Sequence, residues 1–437
     1  MNSKDSEADP NHLKNNKSTF VALKIPAYRI YFGVLLMQTF AMNMQMVARS
    51  WFIYELSGSA IMLGAISLCS ALPLLTVSLF GGVLADRMRK KDILVAAQIA
   101  SALVAFMIAV SITLGKISWV HLFIAAFLQG VVMSLMMPAR QAIIHELVGE
   151  DTLMNAIALS TAAMNLLRLT APAFAGFFIA LWDIEGVYYI MSVLYMIGFF
   201  VAILLPKTKT IQFKNRGTVH EVKDVLRYIR GNKNVMAILF LTLVGTILSM
   251  PYMFLLPIFA KDIFMVEAAS FGTLVSLPVV GSLLMALTES SARQGLLISI
   301  SGIGALAGSL IIASMSNKNR GLFFLLSLLL SSISLVIFST TSSYLLALVV
   351  FIPLGFGHSG RLVLSNTLLQ SNTDDQHRGR VLSVYYMNWG ITLSGVFLVS
   401  VLADLFGIRL ALGGSAALLA VVTLYYLFFT PRIRSLD

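Results

Sequence analysis

The sequence predicts an all-α membrane protein with twelve transmembrane helices in two pseudo-symmetric six-helix bundles. Hydrophobic residues make up 58% of the 437 residues and charged residues only 12%, which is too little polar surface to enclose a water-soluble core. Apolar stretches long enough to cross a bilayer, roughly 20 residues each, recur with short polar breaks along most of the chain. Transmembrane β-strands would instead show short segments of alternating polarity, so a barrel is excluded.

A long polar segment divides the predicted spans into two sets of six. The spans are residues 28–54, 60–85, 92–114, 118–140, 155–181, 186–205, 234–260, 295–315, 321–340, 344–369, 381–403 and 408–430. The domains that follow are a tail at 1–27, an N-terminal bundle at 28–205, a linker at 206–233 and a C-terminal bundle at 234–437.

Two segments outside the spans carry their own predictions. In the linker, Val222, Val225, Leu226 and Ile229 recur at helical spacing, which indicates an amphipathic helix on the inner leaflet, with a solvated linker as the alternative. Residues 268–294 are apolar, but a further full span there would invert the orientation of everything that follows. We therefore expect a re-entrant or peripheral helical insert before helix 8, broken at Pro278 and with Glu289 and Arg293 near water.

Charge sets the orientation of the predicted spans. Most of the 31 lysines and arginines fall in the tail, the linker and the loops of one side, which predicts that both termini are cytoplasmic. The net charge of +11 is explained by this topology and requires no nucleic-acid partner. The first 26 residues lack the pattern of a signal peptide. We expect a monomeric, multi-pass protein of the inner or plasma membrane, surrounded by the lipid bilayer.

Motifs for chemistry on a substrate are missing from the sequence. It contains no phosphate-binding loop of the kind that ATPases use, its six histidines never approach metal-ligand spacing, and its single cysteine, Cys69, cannot form an internal disulfide. These observations predict no enzyme activity, no cofactor and no metal site. The energy for any transport would then come from an ion gradient.

The stretch "GGVLADRMRKKDIL" (81–94) gathers charge between two apolar runs. It resembles the signature between helices 2 and 3 of the major facilitator superfamily, in which an acid takes part in a cytoplasmic charge latch that opens and closes during transport. Arg89 stands near the place where many members carry a second glycine. The resemblance implies that Asp86 meets the other half near residues 379–383 when the protein is open to the outside. The implied gating residues are Gly82, Asp86, Arg87, Arg89, Lys90 and Arg140.

Further stretches resemble one branch of that superfamily, the bacterial drug:proton antiporters that include macrolide-efflux proteins and the enterobactin exporter. They are residues 51–73, 138–160, 377–390 and 402–412. "NLLRLTAPAFAGFFIA" in span 5 is similar to the antiporter motif of helix 5, with Pro172, Ala175 and Gly176 in place and Ala171 where glycine is usual. The motif implies close helix packing and favours efflux. Pro172 as a simple packing kink is the alternative.

Charges within the spans are candidate functional residues because they are costly in lipid. Arg168 in span 5, and His358 and Arg361 in span 10, lie deep in the bilayer by helical rise, and no acid lies at the same depth. This favours neutral or anionic cargo. His358 is a candidate for proton coupling, since histidine titrates near neutrality, and Arg168 for orienting the substrate. The alternative is that both only stabilise helix packing.

The expected lining of a central cavity is Met-rich and aromatic, with a few hydrogen-bonding groups. The candidates are Gln38, Met42, Asn43, Gln129, Asn165, Tyr252, Met387, Asn388 and Trp389, each of which would serve equally as a helix contact. The sequence thus predicts a secondary active transporter that exports a moderately hydrophobic small molecule, such as a drug, macrolide or siderophore-like compound, by alternating access with protons as the coupling ion. An uptake permease for a small metabolite, or a lipid-handling or non-transporting membrane protein, are the alternatives.

Overall fold

A computed structural model describes residues 20–85, 89–206, 218–264, 290–314, 319–374, 377, 381–382, 384–385 and 388–436. Every regular element in those residues is a helix, which confirms the predicted fold class. The core is made where the helices pack together, and much of the remaining apolar surface, including Phe200, Leu410 and Phe429, is exposed as expected for a surface that faces lipid.

The first half of the chain forms five long helices after a short 3-10 turn at Val21–Lys24. They are α1 (Pro26–Ser57), α2 (Ala60–Ala85), α3 (Lys90–Thr113), α4 (Trp119–Leu147) and α5 (Glu150–Ile203). α1 begins with Pro26 in its first turn and ends at Gly58, whose φ of 62° closes the helix in the left-handed region. The chain then returns at once into α2, so α1 and α2 are antiparallel neighbours.

α5 contains two predicted spans rather than one. Trp182 (φ −129°) and Asp183 (φ 57°) leave the helical conformation and break it, and each part is long enough to cross a bilayer. The connection between spans 5 and 6 is therefore a sharp break at Asp183, whose φ of 57° and ψ of −178° lie in a region that glycine adopts far more readily than other residues.

The second half begins with the linker helix α6 (Thr218–Gly231). The helices that follow are α7 (Lys233–Ser249), α8 (Tyr252–Ile258) with a π-turn at Phe259–Ile263, α9 (Ser290–Ser314), α10 (Arg320–Thr340), α11 (Tyr344–Ser371), α12 (Asn388–Phe406), α13 (Ile408–Phe429) and the short α14 (Pro431–Arg434). The predicted seventh span is thus divided at Met250 and Pro251, where proline cannot supply the amide hydrogen that a continuous helix needs.

Within the described residues, nine helical stretches are long and apolar enough to cross a membrane, and two shorter apolar helices lie at Ala60–Thr76 and Gly390–Phe406. One of the nine, Asn155–Ile203, is 49 residues long and contains the break in α5. The total of twelve spans stays a prediction, as do the domain boundaries.

Short connections make successive spans antiparallel and define two ends of the bundle. We call the end that holds Pro26 and Thr430 the terminal face, and the end that holds Gly58 and Gly407 the opposite face. At the opposite face, an aromatic cluster fills the second half, with the ring centroids of Phe259 and Phe338 4.4 Å apart and those of Phe338 and Phe351 4.9 Å apart. This cluster gives the second half a rigid core at that end.

The insert is only partly described, since residues 265–289, with Pro278 and Glu289, lie outside the described residues. α9 begins at Ser290, earlier than the predicted start at 295. The expectation that Arg293 lies near water is wrong: Arg293 is buried, and its Nη1 donates to the carbonyl of Phe264 at 2.6 Å. Phe264 ends the π-turn, and carbonyls at a helix end attract a cation.

The linker helix α6 packs on protein. Val225 and Ile229 are buried in a core with residues of α7 and α10, and the ring of Tyr228 stacks on His377 with 4.2 Å between centroids. The predicted helix is present, but these two apolar side chains contact the second half instead of the inner leaflet. The side chains of Val222 and Leu226 lie outside the description.

Candidate functional site

A buried arginine organises a polar cluster inside the second half. Arg361 in α11 has no solvent-accessible surface. Its Nη1 donates to the carbonyl oxygen of Thr242 at 3.2 Å and to the hydroxyl of Thr246 at 2.5 Å, and its Nη2 lies 3.4 Å from Nδ1 of His358. α11 and α7 are therefore joined by a guanidinium group at membrane depth.

The local sequence makes room for this arginine. A Cβ on Gly245 of α7 would lie 2.7 Å from Cδ2 of Leu328 and 3.2 Å from Cδ of Arg361, so glycine at this position lets both side chains pack closely against α7. The Thr246 hydroxyl also accepts a bond of 2.8 Å from Nδ2 of Asn388 in α12, and it donates to the Thr242 carbonyl at 2.7 Å. Three helices thus converge on one threonine.

The charge of Arg361 is balanced by dipoles and not by a carboxylate. The ion pairs in the described part of the chain are Lys90 with Glu146 and Arg227 with Asp224, and neither involves Arg361 or Arg168. Nε of Arg361 and Oδ1 of Asn388 are buried without a hydrogen-bond partner among the described residues. Two polar atoms of the cluster therefore have hydrogen-bonding capacity left.

Arg168 of α5 faces this cluster from the first half. It lies within electrostatic range of Tyr252 of α8, and both Arg168 and Arg361 lie near enough to interact electrostatically with His358. Tyr252 is buried, with its ring edge-on to Phe351 at 5.6 Å. The side chain of Arg168, in contrast, is exposed, and no hydrogen bond or ion pair holds it within the described residues.

Arg168 lies beside the part of α5 that contacts the second half. Leu169 lies against Gly302, and Pro172 against Gly295. Arg168 is about 27 Å from the start of α5 and about 21 Å from its break by helical rise. Its side chain is thus exposed at mid-membrane depth, next to residues that contact the other half.

The predicted site residues form two groups. Arg168, Tyr252, His358, Arg361 and Asn388 come together, whereas three polar candidates bond within the first half. Gln38 contacts the sulfur of Met136, Asn43 donates to the carbonyl of Thr39 at 2.7 Å in its own helix, and Gln129 lies 3.4 Å from the Ser101 hydroxyl.

The other lining candidates are less informative. Asn165 and Met42 are half-buried. The side chains of Met387 and Trp389 lie outside the described residues. The polar group around Arg361, and not the predicted Met-rich lining, therefore indicates the candidate functional site.

The gating motif is partly described. Asp86 and Arg87 lie outside the described residues. Gly82 lies in α2, but its surroundings are not described. Arg89 is exposed, but Lys90 is buried and pairs with Glu146 of α4. The ammonium group of Lys90 thus joins α3 to α4.

Two further features of that region are visible. Lys91 donates to the carbonyl of Ile203 at 2.6 Å, which joins the start of α3 to the end of α5. Arg140 contacts the sulfur of Met164, and its carbonyl accepts a bond of 3.3 Å from the hydroxyl of Tyr31. In this conformation these basic residues hold the first half together.

The residues of the helix 5 motif are closely packed. Ala175 has no accessible surface, and Gly176 is also buried. A Cβ on Gly295 of α9 would lie 3.0 Å from the backbone carbon of Pro172 and closer still to its carbonyl oxygen, so glycine is required at this crossing. The motif thus forms the α5–α9 contact between the halves.

Three features of the opposite face escaped the sequence reasoning. The Tyr54 hydroxyl of α1 donates to the carboxylate of Asp262 at the end of the seventh span, and Gln294 donates to the Ser50 hydroxyl at 3.0 Å. Arg49 lies inside α1 and donates to Ser70 at 2.9 Å.

The sequence matches the patterns of two protein families. The pattern of the family described as "Transmembrane secretion effector" matches residues 17–296, and that of the "Major Facilitator Superfamily" matches residues 269–436. The staphyloferrin A transporter of Staphylococcus aureus is 22% identical over 393 residues, 89% of this chain and 92% of that protein. Macrolide efflux protein A of Streptococcus pyogenes is 24% identical over 396 residues, 88% of this chain and 91% of that protein.

Solved structures share the fold at low identity. A variant of the nucleoside transporter NupG superposes with a TM-score of 0.70 at 13% identity, covering 92% of this chain and 100% of that one. A bacterial homologue of the human lysosomal transporter Spinster, inward-facing and unoccupied, gives a TM-score of 0.70 at 12% identity, covering 93% of this chain and 97% of that one. At this identity the likeness shows the arrangement of helices.

Proposed function

Because the chain belongs to the major facilitator superfamily, we propose that it exports a small molecule from the cell by alternating access, in exchange for protons. The observation that carries the proposal is the accessible guanidinium group of Arg168 at mid-membrane depth, opposite the polar cluster of Arg361. A charge kept in the membrane at such cost favours a role in binding or translocation.

The contacts between the halves support one state of such a cycle. α1 meets the seventh span at Tyr54 and Asp262, and α5 meets α9 at Pro172 and Gly295. Both contacts lie towards the opposite face. Under the predicted orientation they close the outer side, which leaves access to Arg168 from the cytoplasm.

Efflux is favoured over uptake by two observations. The helix 5 motif, which exporters carry, forms the tight contact between the halves at Pro172. Relatives that align over most of the chain are named for a siderophore, staphyloferrin A, and for macrolide efflux. We take export of a moderately hydrophobic small molecule as the function to test.

For coupling, we assign the proton to His358 and the cytoplasmic latch to the gating motif. His358 shares the cluster with Arg361 and is half-buried beside it, so a change in its charge would act directly on the guanidinium groups. Asp86, with Gly82, Arg87, Arg89 and Arg140, would form the latch. Asp86→Asn should then alter the rate of transport.

A retention screen tests the proposed function. Cells with and without the protein are incubated with a panel of toxic and fluorescent compounds, before and after a protonophore collapses the proton gradient. We expect lower retention of one or more compounds in the expressing cells, and loss of that difference with the protonophore. Accumulation of a nutrient would instead indicate a permease, and no difference for any compound would indicate a non-transporting protein.

A further inference from the structure

We infer that Arg168 and the Arg361 cluster form an anion site, so that the transported molecule carries a carboxylate group on an apolar body. This inference rests on the proposed function and names the substrate class that the same site takes. It starts from the difference between the two arginines. Arg361 is bonded to Thr242 and Thr246, whereas Arg168 has neither a hydrogen bond nor an ion pair among the described residues.

The bonding of Arg361 makes it a fixed part of the site. Three helices hold it through Thr242, Thr246 and Asn388, so its charge stays in place whether or not a ligand is bound. Preorganised charges of this kind bind an anion without the cost of rearrangement. Arg168 supplies a second positive charge that can adjust to the ligand. Its planar guanidinium group can bind both oxygens of a carboxylate.

The charges around the site determine whether it attracts a cation or an anion. Arg168 and Arg361 both act on His358, and the ion pairs in the described residues place no carboxylate beside either arginine. Two guanidinium groups in a region of low dielectric create a positive potential. A cationic compound would be repelled there, and a carboxylate would be attracted.

Hydrogen-bonding groups around the arginines fit the same ligand. Tyr252 lies near both Arg168 and Arg361, and a phenol hydroxyl donates to a carboxylate oxygen. Arg361 itself has no accessible surface, so it contributes its positive charge to the site and no direct hydrogen bond.

The site is divided between the two halves, which links binding to the transport cycle. Arg168 belongs to α5, and the other members belong to α8, α11 and α12. A carboxylate held from both sides would bring the halves together around it. A bound carboxylate shifts the equilibrium between two conformations only if it makes stronger contacts in one conformation than in the other.

Matched probes test the inference on the purified full-length protein in lipid nanodiscs. The probes are 7-methoxycoumarin-3-carboxylate and 7-methoxycoumarin-3-carboxamide, which share one fluorescent body and differ in charge. We expect the wild type to bind the carboxylate at least about tenfold more tightly, the gain expected of a charge-assisted contact, as measured by fluorescence anisotropy. Arg168→Gln should remove the preference, and Arg168→Lys should keep part of it.

A distant arginine provides the control. Arg409 is exposed at the opposite face and donates to Ser342 at 2.7 Å, so Arg409→Gln removes one positive charge outside the site and should keep the full preference. Equal binding of both probes, binding of neither, or a preference that survives Arg168→Gln would overturn the inference. The proposed function would still stand if the retention screen found exported compounds without a carboxylate, so the two failures are distinguishable.

Discussion

At the residue scale, a buried arginine without a carboxylate needs other groups to stabilise its charge. Arg361 obtains them from the Thr242 carbonyl and the Thr246 hydroxyl, the latter also bonded to Asn388. Bonds to a charged group are worth about 1.5–3 kcal/mol each, more than neutral ones. The cluster is therefore both a binding element and a structural joint between α7, α11 and α12.

Replacing Arg361 should destabilise the protein. Arg361→Leu removes the two hydrogen bonds from the guanidinium group to the Thr242 carbonyl and the Thr246 hydroxyl, at about 1.5–3 kcal/mol for each bond to a charged group. We expect the melting temperature of the purified protein to fall by several degrees. Arg409→Leu, at an exposed position, should leave it unchanged. An unaltered melting temperature for Arg361→Leu would show that the cluster contributes nothing to stability.

The sequence revealed which residues lie at depth but not their partners. Arg168, His358 and Arg361 could be placed by counting helical rise from the span ends. The expectation for Arg293 was wrong because counting charges near span ends cannot show which way a side chain turns. Arg293 is bonded to Phe264, which is far from it in sequence, and no local pattern reports such a contact.

At the element scale, the α5–α9 crossing controls whether the halves can close at the opposite face. Gly295→Val would place a side chain on the Pro172 backbone, which has no rotamer to move away. We expect Gly295→Val to fold and reach the membrane but to lose export in the retention assay. Gly414→Val is the matched control, because a Cβ there meets nothing within 4 Å. Full export by Gly295→Val would show that close packing at this crossing is not needed for transport.

A second contact at the opposite face joins α1 to the seventh span. Tyr54→Phe removes the hydroxyl that donates to Asp262 and keeps the ring, so the closed state should lose stability while packing is preserved. With Cys69 replaced by serine and Gln294 by cysteine, a membrane-impermeant thiol reagent should label the new cysteine several times faster in the Tyr54→Phe variant. Equal labelling rates would mean that this bond does not hold the face closed.

The positions of the helices were largely predictable because apolar length is a strong signal in membrane proteins. The break at Asp183 falls between the predicted spans 5 and 6. The predicted seventh span lies within one apolar stretch, Lys233–Ile263, which contains a turn at Pro251. The start of α9 at Ser290 fell inside the predicted insert, since apolar content alone cannot separate an insert from the helix that it joins.

At the scale of the whole molecule, the polar cluster is not duplicated between the halves. The two halves echo each other in sequence, since Gly82 and Gly308 are 226 positions apart and Arg140 and Arg361 are 221 positions apart. Arg140, however, contacts the sulfur of Met164, whereas Arg361 organises three helices. The second half thus supplies the fixed charge and the first half the accessible one, Arg168. Sequence symmetry predicted the duplication but not this division of roles.

Proton coupling can be separated from substrate binding in His358→Gln. If His358 carries the proton, this variant should still exchange labelled for unlabelled substrate across proteoliposome membranes. It should no longer concentrate the substrate when an imposed pH gradient supplies the energy. An anionic substrate has a further driving force, because each charge that crosses 100 mV is worth about 2.3 kcal/mol. The membrane potential is therefore held at zero with valinomycin and equal potassium. Normal concentration by His358→Gln would exclude the histidine from coupling.

Transport into inside-out membrane vesicles tests the central claim most directly, that this chain exports a small molecule through the site at Arg168. The substrate is a compound identified by the retention screen, and a pH gradient, acid inside the vesicle, supplies the energy. We predict concentration of the compound by the wild type and by Arg409→Gln, and at least a tenfold higher half-saturating concentration for Arg168→Gln. Uptake that is the same with and without the protein, or unchanged by Arg168→Gln, would contradict the account.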